Sequence, residues 1–282
     1  MKHEKGSLNS ELYFRTPLTM SVITLSTDFG LQDPYVGIMK GVILGINPRV
    51  HLVDLTHALS HHDLLGAAFV LQSAYSYFPK GTIHLTVVDP GVGGGRRLIG
   101  IQTDDYIWVG PDNGLFTLVL KDFPEVNPIH LTNSAFFLKT VSSTFHGRDI
   151  LAPVTAHLSL GVPLGEMGPI ISNPVLLSFP EPETQNNTLI GQVLWADHFG
   201  NLITNINQKK LLPFLSGFSW RIVIGSQALT ELFQTYFQGR PGRLMALIGS
   251  SGYLEIAANL GSAAEKVGFQ PGMKLKVTVV AA

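Results

Sequence analysis

Apolar runs separated by polar loop residues set a strand–helix rhythm along the first half of the chain. Val22-Ile23-Thr24-Leu25-Ser26 is a short apolar run that reads as a strand, ending at Thr27-Asp28-Phe29-Gly30. Pro34 opens a helix, because the first helical turn needs no N–H from that residue. Val36, Met39, Lys40, Ile43 and Leu44 then follow at near-helical spacing until Asn47-Pro48 stops the run. Val50-His51-Leu52-Val53-Asp54 is a second strand. Asp63 is placed to cap a helix over 64–77, and Pro79-Lys80-Gly81 ends it. Thr82-Ile83-His84-Leu85-Thr86-Val87-Val88 is a third strand and reads as buried. This β-α-β-α-β order predicts a largely parallel sheet with helices on both faces.

Leu98–Thr103 and Tyr106–Val109 form a strand pair joined at Asp104-Asp105. Pro111-Asp112-Asn113-Gly114 is a turn, since Pro presets φ and Asn-Gly tolerates positive φ. A helix begins near Leu115, and the segment Ser142–Asp149 leads into an apolar helical run through Leu158. The stretch 171–188 is rich in Pro, Ser, Glu and Asn without periodicity, and marks a domain boundary. Beyond it, six short strands over 189–280 and a short helix at 262–267 fit a small β-barrel or β-sandwich. The expected organisation is an extension without order over 1–20, an α/β domain over 21–172, a linker over 173–188 and a small β domain over 189–282.

Composition adds three constraints. Only 14% of the 282 residues are charged, against about 25% in ordinary globular proteins. A surface so poor in charge implies burial of part of it in a homo-oligomer. A net charge of -1 favours neither nucleic acid nor anionic membranes as partners. The absence of cysteine excludes disulfides, thiolate nucleophiles and Cys-based zinc sites. With no secretory pattern in residues 1–20 and no long apolar run, the expected location is the cytoplasm.

The densest chemistry follows the third strand, in Asp89-Pro90-Gly91-Val92-Gly93-Gly94-Gly95-Arg96-Arg97. A carboxylate at a strand end lies where open α/β sheets place ligands. It can pair with a guanidinium of its own loop as a structural pin, or share a small polar ligand with it. Asp28 occupies the equivalent place after the first strand, where a carboxylate can accept both ribose hydroxyls or cap a turn. The fingerprint G-x-G-x-x-G is absent there, against an ordinary dinucleotide site. Asp54, His57, His61, His62 and Asp63 are a tempting metal cluster, but no metal-binding helical spacing appears. Solvated or capping roles are the expectation for them. His146 stands at a loop–helix junction, suited to orienting or deprotonating a water or to bonding its own loop. In Asp197-His198-Phe199-Gly200-Asn201, Phe can stack on a base and Asn can read its edge, although Gly-Asn is also a common turn pair. Gly249-Ser250-Ser251-Gly252-Tyr253 is a small-residue loop able to meet a carboxylate, or simply to turn.

Together these segments, with Asp54-Leu55-Thr56-His57 and Gly261-Ser262-Ala263-Ala264, occur in an order that resembles one family. It is that of the S-adenosyl-L-methionine (SAM) hydroxide adenosyltransferases, or SAM hydrolases, relatives of the fluorinase and chlorinase. The resemblance runs from Val22 to the C-terminus. It implies a Rossmann-like N-terminal α/β domain, a C-terminal β-barrel, and a homotrimer with SAM between one subunit's N-domain and its neighbour's C-domain. SAM is then the substrate, with no cofactor and no metal. By motif position, Asp28 matches the ribose-binding Asp, Phe199 and Asn201 the adenine contacts, and Asp197 and Ser250 the groups around the methionine amine and carboxylate. Tyr253 and Leu260 join the substrate contacts. Asp89, Arg96 and His146 match the triad that handles water. Halogenases of the family resemble a version with Tyr in place of Asp89, Tyr-Ser in place of His146-Gly147 and a long insertion near 98–105. The pattern here favours water over halide. Ser251 stands where halogenases carry Arg, so carboxylate recognition would rest on hydroxyls and amides. The alternatives are a halogenase and a SAM or adenosine sensor with negligible turnover.

Overall fold

The computed structural model describes residues 21–216, 219–270 and 276–281. The extension expected over 1–20 lies outside the described residues, as does the start of the strand expected from Lys274. The architecture is mixed α/β with two sheets.

The first half runs β1 (Val22–Thr27), α1 (Tyr35–Ile46), β2 (His51–Thr56), α2 (Leu64–Ala74), β3 (Thr82–Val87), β4 (Leu98–Gln102), β5 (Tyr106–Pro111), α3 (Thr117–Asp122), β6 (Ile129–His130) and α4 (Ala152–Ser159). The sheet order is β2-β1-β3-β5-β4-β6. β1, β2, β3 and β5 are parallel, and β4 pairs antiparallel with β5 and β6. Strand alternation divides the core. Ile23, Leu25, Ile83, Leu85 and Val87 pack with Met39 and Ile43 of α1 and Val154 of α4. Ile99, Ile101 and Trp108 pack with Ala67 and Leu71 of α2 and Val119 of α3. The expected parallel sheet with helices on both faces is therefore present. Asp63 caps α2 through a 2.9 Å bond from the Gly66 N–H.

The second half holds β7 (Glu183–Gln185), β8 (Thr188–Ala196), β9 (Leu202–Asn207), α5 (Gln208–Leu215), β10 (Trp220–Ile224), β11 (Gln227–Leu229), β12 (Leu232–Phe233), β13 (Leu244–Ile248), β14 (Tyr253–Ala258), α6 (Ala263–Val267) and β15 (Lys276–Ala281). Its nine strands form one curled sheet, β11-β10-β15-β8-β9-β14-β13-β12, with β7 added beside β8. β7 lies within the stretch that carries no periodicity in the sequence. The two halves touch through Ala68, Phe69 and Leu118 against Ile203, Trp195 and Tyr253.

Candidate functional site

The parallel register sets the first group of site residues. Thr27 at the end of β1 pairs with Val87 at the end of β3. Asp28 and Asp89 therefore leave adjacent strands at the same edge of the sheet. The turn after β5 closes this edge, with the Asn113 side-chain amide donating to the Val88 carbonyl at 2.8 Å.

The glycine loop folds Arg96 back onto Asp89. Arg96 Nε lies 2.9 and 3.1 Å from the two carboxylate oxygens, and Nη2 lies 2.5 Å from Oδ2. The same Nη2 donates to His146 Nδ1 at 2.8 Å. One guanidinium thus bridges Asp89 and His146, and both members of the ion pair are nearly buried. Since a guanidinium can only donate, Nδ1 must accept, and a neutral His146 carries its proton on Nε2. Burial, and then the Arg96 charge, hold His146 below the usual imidazole value against the opposing pull of Asp89 and Asp149. An imidazole with a free Nε2–H and a carboxylate with spare lone pairs can together hold one water.

Two features lock this geometry. Gly93 has φ +76°, and a Cβ there would overlap the Ser143 carbonyl oxygen. Its lack of a side chain lets the loop carrying Arg96 close on the loop carrying His146. Asp149, fully buried, accepts the Ser142 N–H at 2.8 Å and pairs with Arg148. It lies in a single π-helical turn, Gly147–Leu151, that leads into α4. An open cavity of about 490 Å³ flanks this group, lined by Phe29, Tyr35, Ser142, Thr144, Phe145 and Arg148.

The second group is built on the curled sheet. Asp197 Oδ1 accepts the N–H groups of Phe199 (2.9 Å) and Asn201 (2.8 Å), and Oδ2 accepts Asn201 Nδ2 at 2.9 Å. The turn is fastened to α6, because Gly200 O accepts the Ala264 N–H at 2.8 Å. Gly200, at φ +78°, leaves no room for a Cβ beside Ser262. The bracing presents Phe199 to solvent, 73% exposed, and holds Asn201 buried, its Oδ1 accepting no bond among the described residues. Asp197, Phe199, Asn201, Ser250 and Leu260 line one open cavity of about 710 Å³. Leu260 is 87% exposed and adopts φ +52°, an unfavourable conformation for a bulky residue that marks functional loops.

The cavity also contains Tyr236, which sequence reasoning did not single out. Its hydroxyl donates to Glu255 at 2.7 Å. Burial foremost, with the nearby Asp197, pushes the Glu255 carboxyl up against the effect of that hydrogen bond. Tyr253 is not among the residues lining this cavity; its ring meets Phe69 edge-on at 5.2 Å, between the two halves. No residue of the Asp28–Asp89–Arg96–His146 group lines it either. Among the described residues no three His, Asp or Glu side chains gather to hold a metal.

The Asp54–His57 cluster departs from expectation. His61 and His62 are exposed, but His57 is 5% exposed and bonded at both ring nitrogens. The partner that buries it is Thr27, thirty residues away in sequence. Local spacing carries no sign of that contact.

Residues 23–168 match the model of the SAM hydroxide adenosyltransferase N-terminal domain, and residues 191–276 match that of the C-terminal domain. An (R)-S-adenosyl-L-methionine hydrolase of Thermus thermophilus is 37% identical, with 92% of this chain and 100% of the relative covered. A fluorinase of an Actinoplanes species is 28% identical, covering 91% and 97%. The crystal structure of an uncharacterized conserved protein from Thermotoga maritima superposes with a TM-score of 0.84 at 34% identity, over 93% of this chain and 100% of that one.

Proposed function

The chain belongs to the SAM hydroxide adenosyltransferase family, and from that premise we propose that it hydrolyses SAM to adenosine and L-methionine. The observation that carries this reading is the Arg96 guanidinium joining Asp89 to His146 beside Asp28.

Water attacks C5′ in line with the C5′–S bond. That bond's electrons pass to sulfur, so the leaving group is a neutral thioether and needs no acid. One proton is released overall. His146 donates its Nε2–H to the water oxygen, and Asp89 accepts a hydrogen bond from the water. Arg96 holds both at fixed separation. A positive sulfonium and a developing hydroxide lose charge as they combine, so a water-poor pocket assists.

Asp28 takes the ribose hydroxyls. Phe199 stacks on adenine, and Oδ1 of Asn201 accepts from its exocyclic amine. Asp197, Ser250 and Leu260, which line the same cavity, complete the substrate contacts, whereas Tyr253 packs on Phe69 away from it. None of Asp28, Asp89, Arg96 and His146 lines the cavity of Phe199 and Asn201, and Phe199 and Leu260 stand open to solvent. This supports a homotrimer in which a neighbouring copy's curled sheet covers the strand-end group. In that arrangement the first domain, 21–172, is Rossmann-like, and the second, 189–282, is a small β-barrel joined by the linker 173–188. The cysteine-free composition agrees with work in the cytoplasm.

The test is incubation with SAM in ¹⁸O water. Adenosine labelled at O5′ is the expected product. Release of 5′-chloro-5′-deoxyadenosine in chloride would favour halogenation. Tight adenosine binding without release would favour a sensor.

A further inference from the structure

The residues around Asp28 are held by a chain of hydrogen bonds that begins on α1 and passes through the end of β2. Lys40 Nζ donates to Asp54 Oδ2 at 2.6 Å. Asp54 Oδ1 lies 2.9 Å from His57 Nε2, and His57 Nδ1 lies 2.9 Å from the Thr27 hydroxyl. That hydroxyl also accepts the Phe29 N–H at 3.2 Å. An ionised Asp54 and a neutral His57 ring together set the directions in the chain. An ionised Asp54 only accepts, so His57 Nε2 carries a proton. In the neutral ring Nδ1 then accepts, so Thr27 donates to it and its oxygen stays free for Phe29. Burial raises the Asp54 carboxyl, but the hydrogen bonds of Lys40 and His57 and the Lys40 charge bring it below its usual value, so it remains ionised.

His57 grips the segment a second time. Its carbonyl accepts the Gly30 N–H at 2.8 Å. The ring therefore holds the residue before Asp28, and the backbone holds the second residue after it. Among the described residues the Asp28 carboxylate itself receives one protein bond, a 3.2 Å contact from the His62 N–H, which leaves acceptor sites for a ligand. Thr27 is completely buried, which rules out a nucleophilic role despite its His–Asp partners.

We propose that His57 is a positioning residue for nucleoside recognition: through Thr27 and Gly30 it fixes the Asp28 carboxylate where two vicinal ribose hydroxyls can both reach it. This rests on the ribose role of Asp28 in the function above. The chemistry recognised is a cis-diol, and the relay sets discrimination between adenosine and 2′-deoxyadenosine rather than the attack of water.

The experiment measures binding of both nucleosides by calorimetry, with thermal melts as a check on folding. Thr27→Val keeps shape and removes the hydroxyl. It is expected to weaken adenosine binding about three- to tenfold, with little change for 2′-deoxyadenosine. Thr27→Ser restores the preference, and His57→Ala loses it more completely. Saturating kcat changes less than KM in the Thr27 variants. Wild-type protein that shows no preference overturns both the ribose role and the relay. Wild type with the preference, and folded Thr27→Val and His57→Ala that retain it, overturns the relay alone.

Discussion

Replacing Asp89 by Asn separates the role of its charge from that of its shape. The carboxylate faces Arg96 at 2.5–3.1 Å, with side-chain exposures of 6% and 11%. At about 3 Å and an effective dielectric of about 20, the gross attraction is about 5 kcal/mol. Removing one partner leaves the other charge poorly compensated, which costs about 3–5 kcal/mol for buried pairs. Asn still accepts from Arg96, so the lower end applies. At about 2–4 °C per kcal/mol, the melting temperature should fall by about 6–12 °C. Turnover should fall about 10²–10⁴-fold, because an amide cannot polarise the water as a carboxylate does. That loss corresponds to about 3–5 kcal/mol of barrier. Adenosine should bind within about threefold of wild type, since Asp28, Phe199 and Asn201 are untouched. Adenosine release from SAM is followed by chromatography well below the variant's melting temperature. A folded Asp89→Asn protein with turnover within tenfold of wild type would refute the water-handling role.

Phe199→Ala should weaken adenosine binding by about 1–3 kcal/mol, the usual contribution of one aromatic–base stack, measurable by calorimetry. Gly93→Ala should cost about 1–2 kcal/mol for the left-handed backbone. Because the new Cβ overlaps Ser143, turnover should fall about 100-fold, more than stability alone explains; kinetics and melting of the same sample test this. His84 is fully buried among aromatic rings, bonded through Nδ1 to Thr24, and burial pushes it down to about 4 from 6.5. The unfolded chain takes up this proton near pH 6.5 and the folded protein only near pH 4. Its stabilising contribution is therefore complete above pH 6.5 and falls by about 3 kcal/mol as the pH drops through that window. Urea titrations of His84→Asn should show a flatter loss of stability between pH 7 and pH 4.

The parts of the site legible in the sequence are those set by local rules. Strand-end carboxylates after β1 and β3 follow from parallel topology, which brings Asp28 and Asp89 to one edge. The Asp197–Asn201 segment reads as both turn and base-reading loop, and the structure shows the turn, braced by Asp197. What escaped depends on register between distant segments. His57 is buried by Thr27, and no periodicity in 51–63 reports that. Asp149 braces Ser142 from a π-helical turn, a device with no hydrophobic pattern of its own. Tyr236 reaches the second cavity from a single 3₁₀ turn. The strands Gln227–Leu229 and Leu232–Phe233 are too short to show alternation. Tyr253 packs on Phe69 because the halves touch there, a contact that neither half's sequence encodes alone.

The shared guanidinium also constrains how this family could change its chemistry over time. Arg96 answers to two partners, so neither can be exchanged independently. A lineage that swaps Asp89 for a neutral aromatic first inherits a nearly buried cation with only an imidazole beside it. One that swaps His146 first leaves the Nη2 hydrogen without the acceptor it now has in Nδ1. Each single step crosses a valley of reduced stability before any new nucleophile is served. Passage between water and halide therefore favours concerted replacement of both partners, and intermediates with mixed sets should be rare among living sequences.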